Sequence, residues 1–598
     1  MTDLFLLPRP RKLERLAGEG PAQGFTASTR HEPGLGREAF TLTTDARGAR
    51  IAHGDEAGLR YARGTLAQIA QQSGARLPAL RIEDAPDFAV RGYLLDISRD
   101  RVPTRATLER IVEVMALLRL NHLQLYTEHT FAYEAHERVW REASPITADD
   151  VRWLDALCAA HGIELCANQN SFGHMGRWLA HDEYRARAEC PDGFATRLGA
   201  NLPPGCLAPT PENAEFALAL CRELLGHHAS RRININCDET FELGRGASAS
   251  AVAERGKARV YLEQLRRIAE PLRADGYEVL FWGDMLRDHP ELVRELPQGG
   301  LTALVWHYEQ PLEALPVPPA LHGILAEFGI TERAFRGFSA QTEAFAEAGF
   351  PFWVCPGTST WNSLLGRFTN ARENLRDAAG IGLARGARGF LITDWGDNGH
   401  LQPPSASWLP LAYGAALAWC VAANRELEMA PLLDAFVFED ASQTLGRTLI
   451  ALAEVYRDTG KTCLNGSPLF TALVRGGMLG SFGEVDRTRL EATTEQLSAA
   501  LPVLRAASSG ARDGAATQRE LEVATRLARH GAWRLAQEAG LPAPSTAALH
   551  ADLAEAIPLQ REAWLARSRP GGLADSVARL ERTLASYDLA PPGAAERP

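Results

Sequence analysis

The stretch Ile233-Asn234-Ile235-Asn236-Cys237-Asp238-Glu239-Thr240 runs an apolar/polar alternation directly into two adjacent carboxylates. Alternation of this kind predicts a β-strand, here Ile233 to Cys237. Successive strand side chains point to opposite faces, so Asp238 and Glu239 can share one pocket only beyond the strand's end. Two neighbouring carboxylates cannot ionise independently, which divides them into a proton holder and an anion. A solvated Asp-Glu pair in a loop would look the same in isolation. The surrounding strands decide.

Seven further apolar runs resemble this one: Tyr93 to Ile97, His122 to Tyr126, Ile163 to Ala167, Glu278 to Trp282, Leu301 to Trp306, Phe352 to Cys355 and Phe390 to Thr393. Amphipathic helical stretches separate most of them, including Thr104 to Leu118, Ala148 to His161, Pro211 to Leu225 and Ala251 to Ala274. Eight strands alternating with helices predict an α/β fold, a (β/α)₈ TIM barrel. An open doubly wound sheet is the alternative, but no Gly-rich turn opens the first helix. Residues 1–88, with a strand at Ala39 to Thr43 and a helix at Glu56 to Gln72, read as a small N-terminal α/β domain. The barrel is expected over 89–412 and a helical C-terminal region over 413–598, with a disordered tail from Ala590.

At 598 residues the chain is long enough for about three domains. A formal net charge of −11 argues against nucleic acid or an anionic membrane as partner. Nine cysteines form no CxxC pair and no zinc-like spacing, which suits a reducing compartment. The N-terminus has no secretory pattern and no apolar run is long enough to span a membrane, so a cytoplasmic location is expected. The glycosylation sequon at Asn465-Gly466-Ser467 therefore carries no weight.

Active sites of such barrels gather at the C-terminal ends of the strands. Arg91 precedes the first strand and Asp96 ends it; the second ends at Tyr126-Thr127-Glu128-His129. The third runs into Asn168-Gln169-Asn170-Ser171-Phe172-Gly173-His174, and the fourth gives Asp238 and Glu239. Trp282-Gly283-Asp284, Trp306-His307-Tyr308-Glu309, Thr358 to Asn362 with Trp361, and Asp394-Trp395-Gly396-Asp397 follow the last four. Indole faces stack on the C–H faces of a pyranose while carboxylates take its hydroxyls, so the set reads as a sugar pocket. His174 could instead cap the adjoining helix, and Arg91 could form a structural salt bridge to Asp96. No HExxH or GxSxG occurs.

Val90-Arg91-Gly92-Tyr93-Leu94-Leu95-Asp96-Ile97-Ser98-Arg99 resembles the opening barrel strand of glycoside hydrolase family 20, the β-N-acetylhexosaminidases. Asn236-Cys237-Asp238-Glu239, Phe172-Gly173-His174-Met175 and Asp394-Trp395-Gly396-Asp397 resemble that family's Asp-Glu, Gly-His and Trp-Gly-acid motifs. The intracellular hexosaminidase D branch looks nearest. The resemblance covers about residues 30 to 400. It implies substrate-assisted retention, in which the sugar's own 2-acetamido oxygen attacks the anomeric carbon.

By that resemblance Glu239 is the general acid and base, and Asp238 orients the acetamido group. Arg91, Glu128 and Asp397 hold hydroxyls, His174 supports the acid, and Trp282, Trp306 and Trp395 wall the pocket. The family's acetamido-binding tyrosine has no counterpart after the seventh strand; Trp361 and Asn362 stand there, and Tyr308 is another donor. No metal or organic cofactor is implied. The expected partner is a small oligosaccharide or glycoconjugate substrate, with a homodimer left open. Rival readings are a retaining glycosidase for sugars lacking the acetamido group and a non-catalytic sugar-binding barrel.

Overall fold

Eight apolar runs pair in parallel and close on themselves in the computed structural model, which describes residues 4–21, 27–196, 201–314, 316–326, 330–474 and 480–588. The strands are β1 (Val90–Asp96), β2 (His122–Tyr126), β3 (Glu164–Asn168), β4 (Arg232–Asn234), β5 (Glu278–Trp282), β6 (Leu301–Trp306), β7 (Phe352–Cys355) and β8 (Gly389–Asp394). Neighbours follow chain order, and β8 pairs with β1 to complete the cylinder. These runs are continuously apolar because both faces are covered. Leu94, Leu280, Leu304 and Leu391 fill the interior, while Tyr93, Leu123 and Val279 meet the helices outside. The tail from Ala590 lies outside the described residues.

Two expectations shift. β4 ends at Asn234, not Cys237, because Asn236 (φ 58°) and Cys237 (φ 66°) are left-handed, which no strand accommodates. The helix expected over Ala251 to Ala274 is two helices, Ala249–Arg255 and Lys257–Ala274, broken at Gly256 with φ 83°.

Before the barrel lies a five-stranded sheet in the order Lys12–Pro21, Arg76–Asp84, Phe40–Asp45, Gly48–His53, Ser28–His31. Leu59, Ala62 and Ile69 of helix Glu56–Gln72 share its core with Leu42, Ile51 and Ile82. Asp55 caps that helix by accepting the Gly58 N–H at 2.8 Å. Trp419, at the end of the wholly buried helix Trp408–Trp419, enters the same core and donates to Asp84 at 2.9 Å.

Arg91 belongs to this junction and not to the sugar pocket. It stands at the N-terminal end of β1, the opposite end from the expected site, and is fully buried. Its guanidinium ion-pairs with Glu38 at 2.6 Å and donates to the carbonyls of Arg119 (2.9 Å) and Phe88 (2.8 Å). A cation buried this deeply needs all those acceptors, and a sugar cannot reach it.

After the barrel come four long helices, Arg487–Ala506, Gly514–Glu538, Thr546–Arg567 and Leu573–Asp588. Leu521, Leu553 and Trp564 share one apolar core with Leu108 and Leu409 of the barrel helices. Arg569 reaches back to Asp150 at 2.8 Å and Arg579 to Asp100 at 3.2 Å. Replacing Arg91 with Ala strands Glu38 and several carbonyls, and should cost about 3 kcal/mol or more in urea denaturation. The rate per folded molecule should stay within about twofold of the parent, since Arg91 is remote from the strands' C-terminal ends.

Candidate active site

A file of amides crosses the barrel interior and fixes where the carboxylate pair points. Gln124 on β2 accepts from Asn168 of β3 at 2.9 Å and from Asn234 of β4 at 3.0 Å. Asn168 in turn accepts from the Asn236 side chain at 2.8 Å, and Asn236 accepts the Trp282 indole N–H at 2.8 Å. The Asn236 backbone N–H is taken by the Asn234 side chain at 2.9 Å. Every face of Asn236 is thus specified, and the left-handed turn at 236–237 is held where an unsupported chain would avoid it. Beyond it Asp238 and Glu239 both face the cavity.

His174 joins them. Its Nε2 lies 3.3 Å from Asp238 Oδ2 and 3.4 Å from Glu239 Oε2. Burial pulls its pKa down, but the charge and hydrogen bond of Asp238, with the hydrogen bond of Glu239, carry it well above the ordinary range. The approach requires glycine at 173, where a Cβ would sit 2.1 Å from the Asp238 carbonyl oxygen. The other Asp238 oxygen, Oδ1, is buried with no partner. Glu239 is the more open of the pair, its side chain 34% exposed against 9% for Asp238.

Around this pair lies a cavity of about 580 Å³ lined by His174, Trp306, Tyr308, Trp361, Trp395 and Asp397, among others. Tyr308 stacks on Trp306 with ring centres 5.0 Å apart, and meets Trp361 edge-on at 5.2 Å. Burial pushes the Asp397 carboxyl up to about 6; Arg99 and His174 oppose this and Asp96 and Glu239 add to it.

Two expected contacts stand behind this lining. Trp282 is buried beneath Trp395 at 6.0 Å, its N–H spent on Asn236, so it braces the turn and does not wall the pocket. Glu128 is buried between the Tyr126 hydroxyl (3.1 Å) and Arg99 (3.4 Å), and lies 3.9 Å from His174 Nδ1. It holds those groups and is not among the residues that line the cavity.

Three residues went unassigned. Arg99 lies in the quoted opening strand motif and, unlike Arg91, lines the cavity; it pairs with Asp96 at 3.2 Å and lies over the Trp395 ring at 5.1 Å. Asp284 accepts the Glu239 backbone N–H at 3.1 Å, and burial together with the Asp238 charge raises its pKa. Asn465, the discounted sequon, comes from beyond the barrel altogether. Its side chain accepts the Trp361 indole N–H at 2.8 Å, its carbonyl takes Asn362 at 3.0 Å, and its N–H is held by Glu309 at 2.8 Å. Glu309 is clamped by both Arg367 nitrogens at 2.9 and 3.1 Å. The sequence offered Asn465 only as a sequon of no weight; a contact across a hundred residues leaves no local pattern.

The Asp397 shift gives a pH test. Its carboxyl ionises near 3.9 when unfolded and about 6 when folded, so stability falls as pH rises through that window. Asp397→Asn should remove that part of the fall, seen as a denaturation midpoint that changes less than the parent's between pH 4 and 6.5. An unchanged slope would contradict the assignment.

Two family models match the chain: "Glycosyl hydrolase family 20, domain 2" over residues 5–85 and "Glycosyl hydrolase family 20, catalytic domain" over 88–316. The match therefore begins earlier than the expected residue 30 and stops before β7. Hexosaminidase D of Bos taurus is 23% identical over 317 residues, covering 50% of this chain and 82% of the relative. Hexosaminidase D of Homo sapiens is 26% identical over 240 residues, covering 38% and 46%. The chitobiase structure from Flavobacterium johnsoniae superposes with a TM-score of 0.58 at 14% identity, covering 97% of this chain and 99% of that one. That fold likeness includes the C-terminal helices.

Proposed function

The chain belongs to glycoside hydrolase family 20, and from that premise we propose that it is an exo-acting β-N-acetylhexosaminidase using substrate-assisted retention. The observation that carries the reading is the state of Asp238. One of its oxygens is held by His174, while the other is buried without a donor. A buried carboxylate oxygen left unpaired is costly unless a ligand supplies the missing donor. The amide N–H of a 2-acetamido group is such a donor, and its resonance puts nucleophilic charge on the acetamido oxygen.

The roles follow. With Asp238 taking the N–H, the acetamido oxygen closes on C1 as the bond to the departing oxygen breaks. Glu239, the more exposed carboxyl, gives its proton to that oxygen. The oxazolinium ion that forms carries positive charge beside Asp238, which stabilises it. Water then adds to C1 from the vacated side, Glu239 takes its proton, and the acetamido group is released with retained configuration. The protein supplies no nucleophile of its own. His174, pinned by both carboxylates, keeps them in register.

Trp306, Trp361 and Trp395 wall the sugar, Arg99 and Asp397 take hydroxyls, and Tyr308 fills the place of the missing tyrosine on the acetamido oxygen. Tyr308 supports this by standing within the ring cluster, against Trp306 and Trp361. A cytoplasmic location fits the nine cysteines, all of them free. No helix of the described residues is long and apolar enough to cross a membrane.

Glu239→Gln should cut kcat on an N-acetylhexosaminide by about 10²- to 10⁴-fold while a thiazoline analogue still binds. Asp238→Asn should lower the rate by about 10²-fold or more, and should weaken the thiazoline as well. Chromogenic N-acetylglucosaminide and glucoside compared side by side separate the rival glycosidase; turnover of the plain glucoside alone would end this reading. Asn465→Ala frees the Trp361 ring and should raise KM about fivefold with a smaller change in kcat, and Asn465→Gln should recover part of it.

A further inference from the structure

The cavity is larger than one pyranose, and one stretch of its lining is apolar where the carboxylates are charged. Met285, Phe335, Ile330, Leu464 and Phe470 line it there. They come from three parts of the chain: the turn after β5, the segment between β6 and β7, and the C-terminal region. Leu464 packs against the cluster formed by Phe335, Ala334 and Leu325, so the last two parts make one continuous apolar wall.

The side of the pocket is fixed by covalent and hydrogen-bonded links. Glu239 donates its backbone N–H to Asp284, and Met285 is the next residue. Arg287, two residues on, donates to Gln341 at 3.2 Å, and Gln341 donates to the Ala334 carbonyl at 2.9 Å. The apolar wall is thereby tied to the strand end that braces the general acid, and so to the side from which a departing group is protonated.

Several polar side chains that line the cavity beside it are paired with their neighbours. Asp288 pairs with Arg333 at 2.5 Å and His289 with Glu291 at 3.1 Å, while Gln341 is occupied at both ends. His307 Nε2 is an exception, buried without a partner; its ring lies edge-on to Phe335 at 5.5 Å, and burial pushes its pKa down to about 3. A second sugar would bring several hydroxyls to a wall that offers few free groups to meet them.

Resting on the proposed glycosidase reading, we infer that this apolar wall is a subsite for an apolar aglycone, an alkyl or aryl group on the glycosidic oxygen, built jointly by the β6–β7 segment and the C-terminal region. The enzyme then prefers N-acetylhexosaminides of hydrophobic alcohols or phenols to those of another sugar.

The test uses unhydrolysed S-alkyl 1-thio-N-acetyl-β-hexosaminides, from methyl to hexyl, in both gluco and galacto series, with S-phenyl and a thio-linked disaccharide alongside. Calorimetric Kd on the full chain should fall about fourfold per added methylene, as expected for burial of each group. S-phenyl should bind near the hexyl compound, and the disaccharide no tighter than methyl. Phe335→Ser and Leu464→Ser, each checked by thermal melting, should flatten the alkyl series from two different segments. A flat parental series, a disaccharide that gains affinity, or a slope that survives both substitutions overturns the inference. Absence of methyl thioglycoside binding in both series overturns the sugar reading itself, and this one with it.

Discussion

The hydrogen bonds among Gln124, Asn168, Asn234 and Asn236 set the geometry on which the site depends. Barrel interiors are usually filled by branched aliphatic side chains. Here one layer is given to amides, whose acceptors take donors from neighbouring strands and, at Asn234, from the turn that follows it. The gain is not stability, since buried amides contribute little net free energy even when satisfied. It is direction. The chain leaves β4 through two left-handed residues, and only a fully specified Asn236 makes that path the preferred one.

From this follows the division of labour between the acids. Asp238 is drawn inward, toward His174, and Glu239 is left more open to the cavity. Both hang from one short turn, so their separation is set by the backbone and not by flexible side chains. Gly173 completes the arrangement by letting the β3 loop touch the backbone of that turn. A methyl group at residue 173 would meet the Asp238 carbonyl and push the histidine away from the carboxylates it bridges.

Much of this was legible beforehand. Apolar runs flanked by helices announced the barrel, because buried parallel strands have no polar face to confuse the period. The aromatic and acidic residues after each strand announced the pocket. Arg91 was misplaced because motif resemblance carried it while its position at the N-terminal end of β1 said otherwise. β4 was drawn too long since Asn236 and Cys237 continue the alternation although their φ angles end it. Trp282 and Glu128 were read at the correct ends of their strands, but sequence does not tell a lining residue from one a layer deeper. Asn465 lay beyond reach, since only the completed fold brings residue 465 to Trp361.

That last contact alters what kind of object the catalytic barrel is. Cys463 to Gly466, Phe470 and Thr471 lie more than sixty residues past the eighth strand, yet they line the cavity that holds the carboxylates. Heat that loosens the trailing helices would take away the seat of Trp361 while the cylinder itself stayed closed. Inactivation would then run ahead of melting, and the length of the chain that must stay ordered, rather than the strength of its strands, would set how long the enzyme lasts.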